Sequence, residues 1–325
     1  MYFSWKTIGH ERQKKEIENN ILNGNLSHAY LFSGPENIGK FYFAKEIASA
    51  LLCPNNMCKT CITCRQIQNL THSDFLVLDL LYIDKVHTNW DEISKYSNIE
   101  QKHRASPPSI KTNTITIEDI RMLQKQLYKK PISEYKICII KNIDRLNTEA
   151  TNSFLKSVEE PSDKTIFIFT TAKEASILPT LLSRLRIIRF NLIHNDIIEE
   201  HIKDSPNKKE ILEYAQGRIT TALRLARNSE ELQETRKAYE KIVEVYEKMN
   251  TIKRFAFAES LSENMNEMEK FFEYSLFYLR SKIDPKNKNI TKIIELLDIT
   301  QNLIKKNINK RLALENFFLE IVKYK

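Results

Sequence analysis

The chain has 325 residues, which is enough for two or three domains with substantial cores. Its 42% hydrophobic and 28% charged residues are typical of a globular protein, and its net charge of +8 permits a nucleic-acid or acidic partner. No apolar run is long enough to span a bilayer and no signal peptide is recognisable. We therefore expect a soluble cytoplasmic protein rather than a membrane or secreted one.

The first predicted elements lead into a glycine-containing loop. An amphipathic helix is predicted over residues 10–22, and the apolar run that ends at Phe32 predicts a buried strand. The next residues, 34–40, have the spacing G-x-x-x-x-G-K of a phosphate-binding loop between a strand and a helix. Backbone N–H groups of such a loop surround an anion, and its lysine reaches the outer phosphates. The candidate nucleotide-binding residues are Gly34, Gly39 and Lys40.

The loop lacks one part of a working nucleotide site. The position after Lys40 should be Ser or Thr, whose hydroxyl binds Mg²⁺, but Phe41 stands there. A phenyl ring cannot ligate magnesium. The sequence thus keeps the scaffold of the site and leaves ATP binding doubtful.

Four cysteines follow the predicted loop helix, which spans residues 40–52. Two consecutive C-x2-C steps can bring thiolates to one centre, and a cysteine at the end of the helix can complete a tetrahedron. Four sulfur ligands leave no open position, so the spacing favours a structural metal site. An iron–sulfur cluster and unligated core cysteines are the alternatives. The candidate metal ligands are Cys53, Cys58, Cys61 and Cys64.

The chain then alternates between apolar runs and amphipathic segments up to residue 192. Thr116 and Asp119 form a predicted capping box that opens a helix through Tyr128. A polar segment with two prolines, 82–112, is predicted as a surface insertion. The other predicted elements are strands at 75–81, 136–140, 165–170 and 187–190, and helices at 148–159 and 178–184.

No strand is predicted after residue 192. A small helical unit broken at Gly217 spans 196–227, and four or five amphipathic helices follow from residue 230. Two of these helices carry apolar stripes that we predict as core: Phe271, Phe272, Leu276 and Leu279, and Leu312, Phe317, Phe318 and Ile321. The predicted domains are an α/β core at 1–192, with the cysteine module at 53–64, a helical lid at 193–229 and a helical domain at 230–325.

Several stretches, taken in order, carry a family resemblance. They are residues 28–35 (HAYLFSGP), the cysteine cluster, residues 155–162 (LKSVEEPS) and residues 182–184 (LSR). Together they resemble the clamp-loader branch of the AAA+ ATPases, and within it the delta-prime family of bacterial DNA polymerase III. The resemblance covers about the first 230 residues.

The resemblance implies a fold, a metal and partners. The fold would be a RecA-like AAA+ core with a parallel sheet, a small lid and an all-helical collar, and the four cysteines would hold a structural zinc. The partners would be delta and gamma or tau subunits in a hetero-pentamer that takes part in DNA replication. That complex loads the sliding clamp onto primed DNA.

The sequence differs from the active gamma-type members at positions that take part in ATP hydrolysis. Their Asp-Glu pair after the second strand corresponds here to Lys141 and Asn142, and their lid arginine corresponds to Thr220. A lysine would add positive charge beside the metal, and an asparagine is not a base. Together with Phe41, these departures predict a subunit that does not hydrolyse ATP.

Arg184 follows Ser183, as in the Ser-Arg-Cys motif of the family. The resemblance implies that this arginine acts in trans, projecting into the ATP site of a neighbouring subunit, where a guanidinium stabilises charge on the γ-phosphate. The alternative is a surface arginine in a basic run with Arg186 and Arg189.

Two other functions remain open from the sequence. One is an active gamma- or tau-like ATPase in which Lys40 and Asp144 suffice, which the hydrolysis rate of the isolated chain would reveal. The other is a free-standing, zinc-dependent nucleic-acid-binding protein, which predicts tight DNA binding without partners.

Overall fold

A computed structural model describes residues 3–79, 96–99, 114–162, 164–283, 288–306 and 308–324. The chain divides into two compact units. The first comprises residues up to 203 together with 217–221, and the second comprises 204–216 and the residues from 222 onward. Among the described helices, none has both the length and the apolar character needed to cross a membrane. The predicted boundaries at residues 192 and 229 stay predictions.

The first unit contains a parallel sheet of five strands in the order β2-β3-β4-β1-β5. The strands are β1 (Ala29–Ser33), β2 (Phe75–Leu78), β3 (Lys136–Ile140), β4 (Thr165–Thr171) and β5 (Arg186–Arg189). A parallel sheet needs crossover helices, which cover both faces, so its strands read as continuous apolar runs.

Both faces of this sheet are covered by apolar side chains. Leu31 of β1 and Cys138 of β3 belong to one buried cluster, while Tyr30 and Ile137 belong to the other. This alternation is the period of two expected for a strand. Cys138 is fully buried, where it serves as a small core residue.

The helices of the first unit lie along the chain between these strands. They are α1 (Glu11–Leu22), α2 (Lys40–Leu52), α3 (Ile62–Gln68), α4 (Ile117–Leu127), α5 (Thr148–Glu159), α6 (Pro179–Leu182) and α7 (Asn195–His201). Helices α1, α2 and α3 contribute to one apolar cluster, and α4, α5 and α6 contribute to the other. The capping box of Thr116 and Asp119 at the start of α4 is present as predicted.

Some predicted boundaries were wrong. Helix α6 is shorter than the predicted 178–184, because Pro179 begins it and the chain leaves the helix after Leu182. The strand predicted at 75–81 ends at Leu78, and its last two residues lie outside the described part of the chain.

The predicted insertion 82–112 lies outside the described residues except for 96–99. There the backbone N–H of Asn98 donates to the carbonyl of Val77, and its side-chain oxygen accepts from the N–H of Val77. Asn98 therefore pairs with the backbone N–H and C=O groups of Val77 at the outer edge of β2, which would otherwise lack partners there.

The helices that follow α7 are α8 (Lys208–Ala215), α9 (Ile219–Arg227), α10 (Ser229–Glu247), α11 (Thr251–Glu263), α12 (Met265–Ser281), α13 (Lys288–Lys305) and α14 (Lys310–Glu320). The last five were predicted as four or five helices. Phe271 and Phe317 lie in the core of the second unit, as predicted. Leu312 was predicted as core but is 61% exposed, because it lies one position off the buried stripe of Ala313, Leu314 and Phe317.

The predicted α/β class is confirmed: a parallel five-stranded sheet lies in the first unit, and the chain is otherwise mostly helical.

Candidate functional site

The phosphate-binding loop connects the end of β1 to the start of α2. Gly34 has φ of 150°, and a Cβ there would lie 2.2 Å from the carbonyl oxygen of Phe190. Gly39 has φ of 96° and immediately precedes α2. Both positions require glycine, the first because of a backbone contact and the second because of its left-handed conformation. The sequence therefore builds the loop that its spacing predicts.

The loop lysine contacts its own loop. The Lys40 ammonium donates to the carbonyl oxygens of Gly34 at 2.6 Å and Pro35 at 2.5 Å. Burial lowers the pKa of Lys40 to about 8, although the carboxylates of Glu36 and Asp144 oppose that shift. The ammonium is thus held among carbonyl dipoles in a poorly solvated position.

A second lysine lies beside Phe41. The Lys141 ammonium is 4.7 Å from the centroid of the Phe41 ring and forms an ion pair with Asp79, whose side chain is 2% exposed. The Lys45 ammonium is 5.9 Å from the same ring. Burial, and then the charge of Lys141, lower the pKa of Lys45. The Phe41 ring therefore has two lysine ammonium groups close to it.

The residues that follow β3 are also held by neighbouring groups. The backbone N–H of Asn142 donates to the Thr170 hydroxyl at 3.1 Å. The Thr171 hydroxyl donates to Asp144 at 2.7 Å. Asp144, the carboxylate of the alternative ATPase hypothesis, thus lies near enough to influence Lys40 but is bonded to β4.

Two further contacts are made to backbone carbonyls of the phosphate-binding loop, at Asn37 and Ile38. The N–H of Thr220 donates to the carbonyl of Asn37 at 2.9 Å. His10 Nε2 lies 2.8 Å from the carbonyl oxygen of Ile38, and burial lowers the pKa of His10. His10 and Arg189 also line a cleft of about 600 Å³. His10 was not among the site residues predicted from the sequence, because it belongs to no recognisable motif.

The four predicted metal ligands converge. Their sulfur atoms all lie within 4.8 Å of one another, and Cys53 Sγ is 3.6 Å from the sulfurs of both Cys58 and Cys61. A tetrahedral ion with a Zn–S distance of about 2.3 Å separates its sulfurs by about 3.8 Å. The residues present therefore fit a bound metal ion, and the geometry is compatible with structural zinc.

Local structure positions these cysteines. Cys53 is the residue that ends α2, and Cys61 caps α3 by accepting a hydrogen bond from the N–H of Cys64. Backbone N–H donation, led by Thr60, lowers the pKa of Cys58 to about 6, whereas burial raises the pKa of Cys64. Backbone amides aimed at sulfur stabilise the thiolate, which is the form that binds a metal.

The cysteine module is tied to α2 by a buried carboxylate. Glu46 accepts hydrogen bonds from the N–H groups of Lys6 and Thr7 and from the Thr7 hydroxyl. Its Oε1 also lies 3.7 Å from the ammonium of Lys59, which stands between two of the cysteines in sequence. The N-terminal segment, α2 and the module are therefore joined at one residue.

Arg184 lies just after α6. Its Nε donates to Glu159 Oε1 at 2.5 Å, and its Nη1 donates to the carbonyl oxygen of Thr180. The sequence motifs did not predict the contact with Glu159, because the two residues are 25 positions apart.

Comparisons with known proteins agree with the motifs. A sequence model of the family described as "DNA polymerase III, delta subunit" matches residues 9–194, more than half of the 325 residues. The chain belongs to this family. The resemblance to its delta-prime members, and so to the clamp loaders, is confirmed.

Three similar proteins bear related names. Subunit delta' of DNA polymerase III from Bacillus subtilis is 27% identical over 266 residues, which cover 79% of this chain and 70% of that protein. Subunit gamma/tau from Mycoplasma genitalium is 30% identical over 211 residues, which cover 63% of this chain and 30% of that protein. A solved structure of a gamma-subunit-related protein from Thermotoga maritima has a TM-score of 0.46 and 18% identity, and the alignment covers 97% of this chain and 99% of that chain.

Proposed function

We propose that this clamp-loader family member is a non-catalytic, delta-prime-like subunit that supplies Arg184 in trans to a neighbouring ATPase subunit. Its partners would be delta and gamma or tau subunits in a hetero-pentamer. The complex would act on the sliding clamp and primed DNA during DNA replication.

The contact of Lys141 with Phe41 is the observation that carries the non-catalytic role. A magnesium ion at this position would meet an aromatic ring in place of a hydroxyl ligand, and an ammonium in place of a carboxylate. The buried carboxylate of Asp79 already pairs with that ammonium. Like charges within a few ångströms repel strongly in a partly buried site, so the arrangement opposes Mg²⁺ binding.

The position of Arg184 supports the role in trans. The side chain is 35% exposed and follows a short helix on the surface of the first unit, so a neighbouring chain could reach it. The described contacts of its guanidinium are with Glu159, Thr180 and Ser183. A guanidinium can instead bind a phosphate through two parallel hydrogen bonds.

The four-cysteine site is proposed to hold zinc in a structural role. Its four sulfur ligands would complete a tetrahedron and leave no position for substrate, which is typical of structural zinc. The zinc would connect the C-terminal end of α2 to the N-terminal end of α3 and would take no part in ATP hydrolysis.

The test is a reconstituted complex that contains Arg184→Ala. We expect the complex to assemble and clamp- and DNA-stimulated hydrolysis to fall in part, because only the neighbouring site loses its finger, which is worth about 10³- to 10⁵-fold at one site. Clamp loading should fall more than bulk hydrolysis. Arg186→Ala is the matched control, because it removes a nearby exposed arginine that pairs with Glu16.

Full clamp loading by a properly assembled Arg184→Ala complex would show that this arginine is a surface charge. Failure of the wild-type chain to join delta and gamma or tau subunits would reject the proposed assembly. The isolated chain should keep its melting temperature in the variant, since an exposed ion pair contributes little to stability.

A further inference from the structure

The guanidinium of Arg184 is engaged on every nitrogen by its own chain. Nε donates to Glu159 Oε1 at 2.5 Å, and Nη2 pairs with the same oxygen. Nη1 donates to the carbonyl oxygen of Thr180 and lies 3.3 Å from the Ser183 hydroxyl. The arginine expected to reach a neighbour is therefore held in place by the end of α5 and by α6.

The charge that holds it comes from one residue. Glu159 is the last residue of α5, where the carbonyl end of the helix dipole adds partial negative charge. The carboxylate and the helix end together attract a cation and neutralise it. A phosphate on a neighbouring subunit would have to compete with both.

The pair is nevertheless easy to open. The side chains of Arg184 and Glu159 are 35% and 41% exposed. Ion pairs exposed in this way contribute about 0–1 kcal/mol, since water and salt screen them. The ion pair is thus too weak to be needed for folding. Its free energy is nevertheless large enough to change severalfold the fraction of molecules in which the guanidinium is free to bind a phosphate.

We propose that Glu159 is an internal competitor that restrains Arg184 until the phosphate of a neighbour's nucleotide displaces it. The inference rests on the proposed role of Arg184 in trans and adds the residue that regulates it. In the assembled complex, the restraint would suppress hydrolysis before clamp and DNA are present. Engagement would exchange the carboxylate for a more highly charged phosphate at the same donors.

The test replaces Glu159 in the assembled complex. Glu159→Gln keeps the shape of the side chain and removes its charge. Without clamp and DNA, hydrolysis at the one site that Arg184 serves should rise about two- to fivefold, which is the equivalent of up to about 1 kcal/mol, and the total rate of the complex should rise by a smaller factor. The matched control is Glu160→Gln, which neutralises the next carboxylate and leaves the described contacts of Arg184 intact. An unchanged or lower rate in Glu159→Gln would overturn the inference.

The double variant separates this inference from the proposed function. If Glu159 acts through Arg184, the complex with both Glu159→Gln and Arg184→Ala should hydrolyse ATP no faster than the one with Arg184→Ala. An equal rise in both backgrounds would overturn the inference and leave the finger intact. An Arg184→Ala complex with wild-type hydrolysis and loading would instead reject the proposed function.

A measurement on the isolated chain checks the restraint without any ATPase assay. Phenylglyoxal modifies accessible guanidinium groups, and mass spectrometry can follow its reaction at Arg184. The rate at Arg184 should rise in Glu159→Gln and stay unchanged in Glu160→Gln. Equal rates in the wild type and Glu159→Gln would show that the carboxylate does not hold the arginine.

Discussion

Helix α2 joins two regions of the molecule that differ in their cation chemistry. At its N-terminal end, the phosphate-binding loop is intact in backbone, but Phe41 and Lys141 lie together at the positions where we propose that the Mg²⁺ ligands are missing. At its C-terminal end, Cys53 begins a complete set of four sulfur ligands. The helix spans 13 residues, or about 20 Å. One end thus carries the ammonium groups of its own lysines, while the other has four cysteines placed where they could hold a metal ion.

The difference teaches that the loop fold does not depend on nucleotide chemistry. Gly34 and Gly39 serve the backbone path between β1 and α2, which the sheet needs whether or not ATP is hydrolysed. The metal ligands of the loop serve only the reaction. If the chain acts at a neighbour's site, as we propose, it can lose the Mg²⁺ ligands of this loop and keep the two glycines.

The largest expected effect comes from removing one ligand of the four-cysteine site. Cys61→Ser should release the metal and lower the free energy of unfolding by at least about 4 kcal/mol, since metal binding and folding of such modules are coupled. Elemental analysis and denaturant unfolding measure the two effects. We expect one zinc per chain in the wild type; iron in its place, or less than about half an equivalent of any metal, would contradict the zinc assignment.

Cys138→Ala is the matched control for this experiment. Cys138 is fully buried in β3 and lies outside the cysteine cluster, so its truncation should cost about 1 kcal/mol and leave the metal content unchanged. Equal metal loss in both variants would indicate general unfolding rather than loss of a ligand.

The next effect is a pH dependence at the loop end. The pKa of Lys40 is about 8 in the folded chain against an ordinary value of 10.5. The unfolded chain binds more protons between these values, so Lys40 makes the free energy of unfolding increase as pH rises from about 8 to 10.5. Lys40→Met should remove this increase, which is on the order of 3 kcal/mol, while Lys15→Met, at an exposed lysine, should keep it. If the free energy of unfolding changed with pH in the same way in the wild type and in Lys40→Met, the argument that burial lowers the pKa of Lys40 would be contradicted.

The smallest effect restores part of the missing chemistry. We expect Mg²⁺ to leave nucleotide binding by the wild type unchanged. Phe41→Thr combined with Lys141→Asp supplies a hydroxyl and a carboxylate, so Mg²⁺ should tighten binding by about tenfold, or about 1.4 kcal/mol. Phe41→Thr alone keeps the Lys141 cation and should gain less. Calorimetric titration with and without Mg²⁺ distinguishes these cases, and a wild type that already requires Mg²⁺ would break the comparison between the two ends.

Local sequence patterns predicted much of this fold. The run at 136–140 is buried on both faces and was recognisable as a strand, and the capping box at Thr116 fixed the start of α4. The spacing of the four cysteines likewise predicted their convergence, because each step is short enough to be closed by a turn.

Contacts between distant residues were not predictable in this way. Lys141 and Asp79 are 62 positions apart, and Glu159 and Arg184 are 25 apart, so no local periodicity links them. Leu312 shows a smaller failure, because a shift of one residue on a helix turns a side chain by about 100° and moves it from the core to solvent.

The most direct test of the account is steady-state ATP hydrolysis by the isolated, metal-replete chain. The positions of Phe41, Lys141 and Asn142 predict no Mg²⁺-dependent turnover above background. Lys40→Ala serves as the control, because it removes the lysine that any turnover at this loop would use. Turnover that requires Mg²⁺ and is abolished by Lys40→Ala would show an active ATPase and contradict the non-catalytic role.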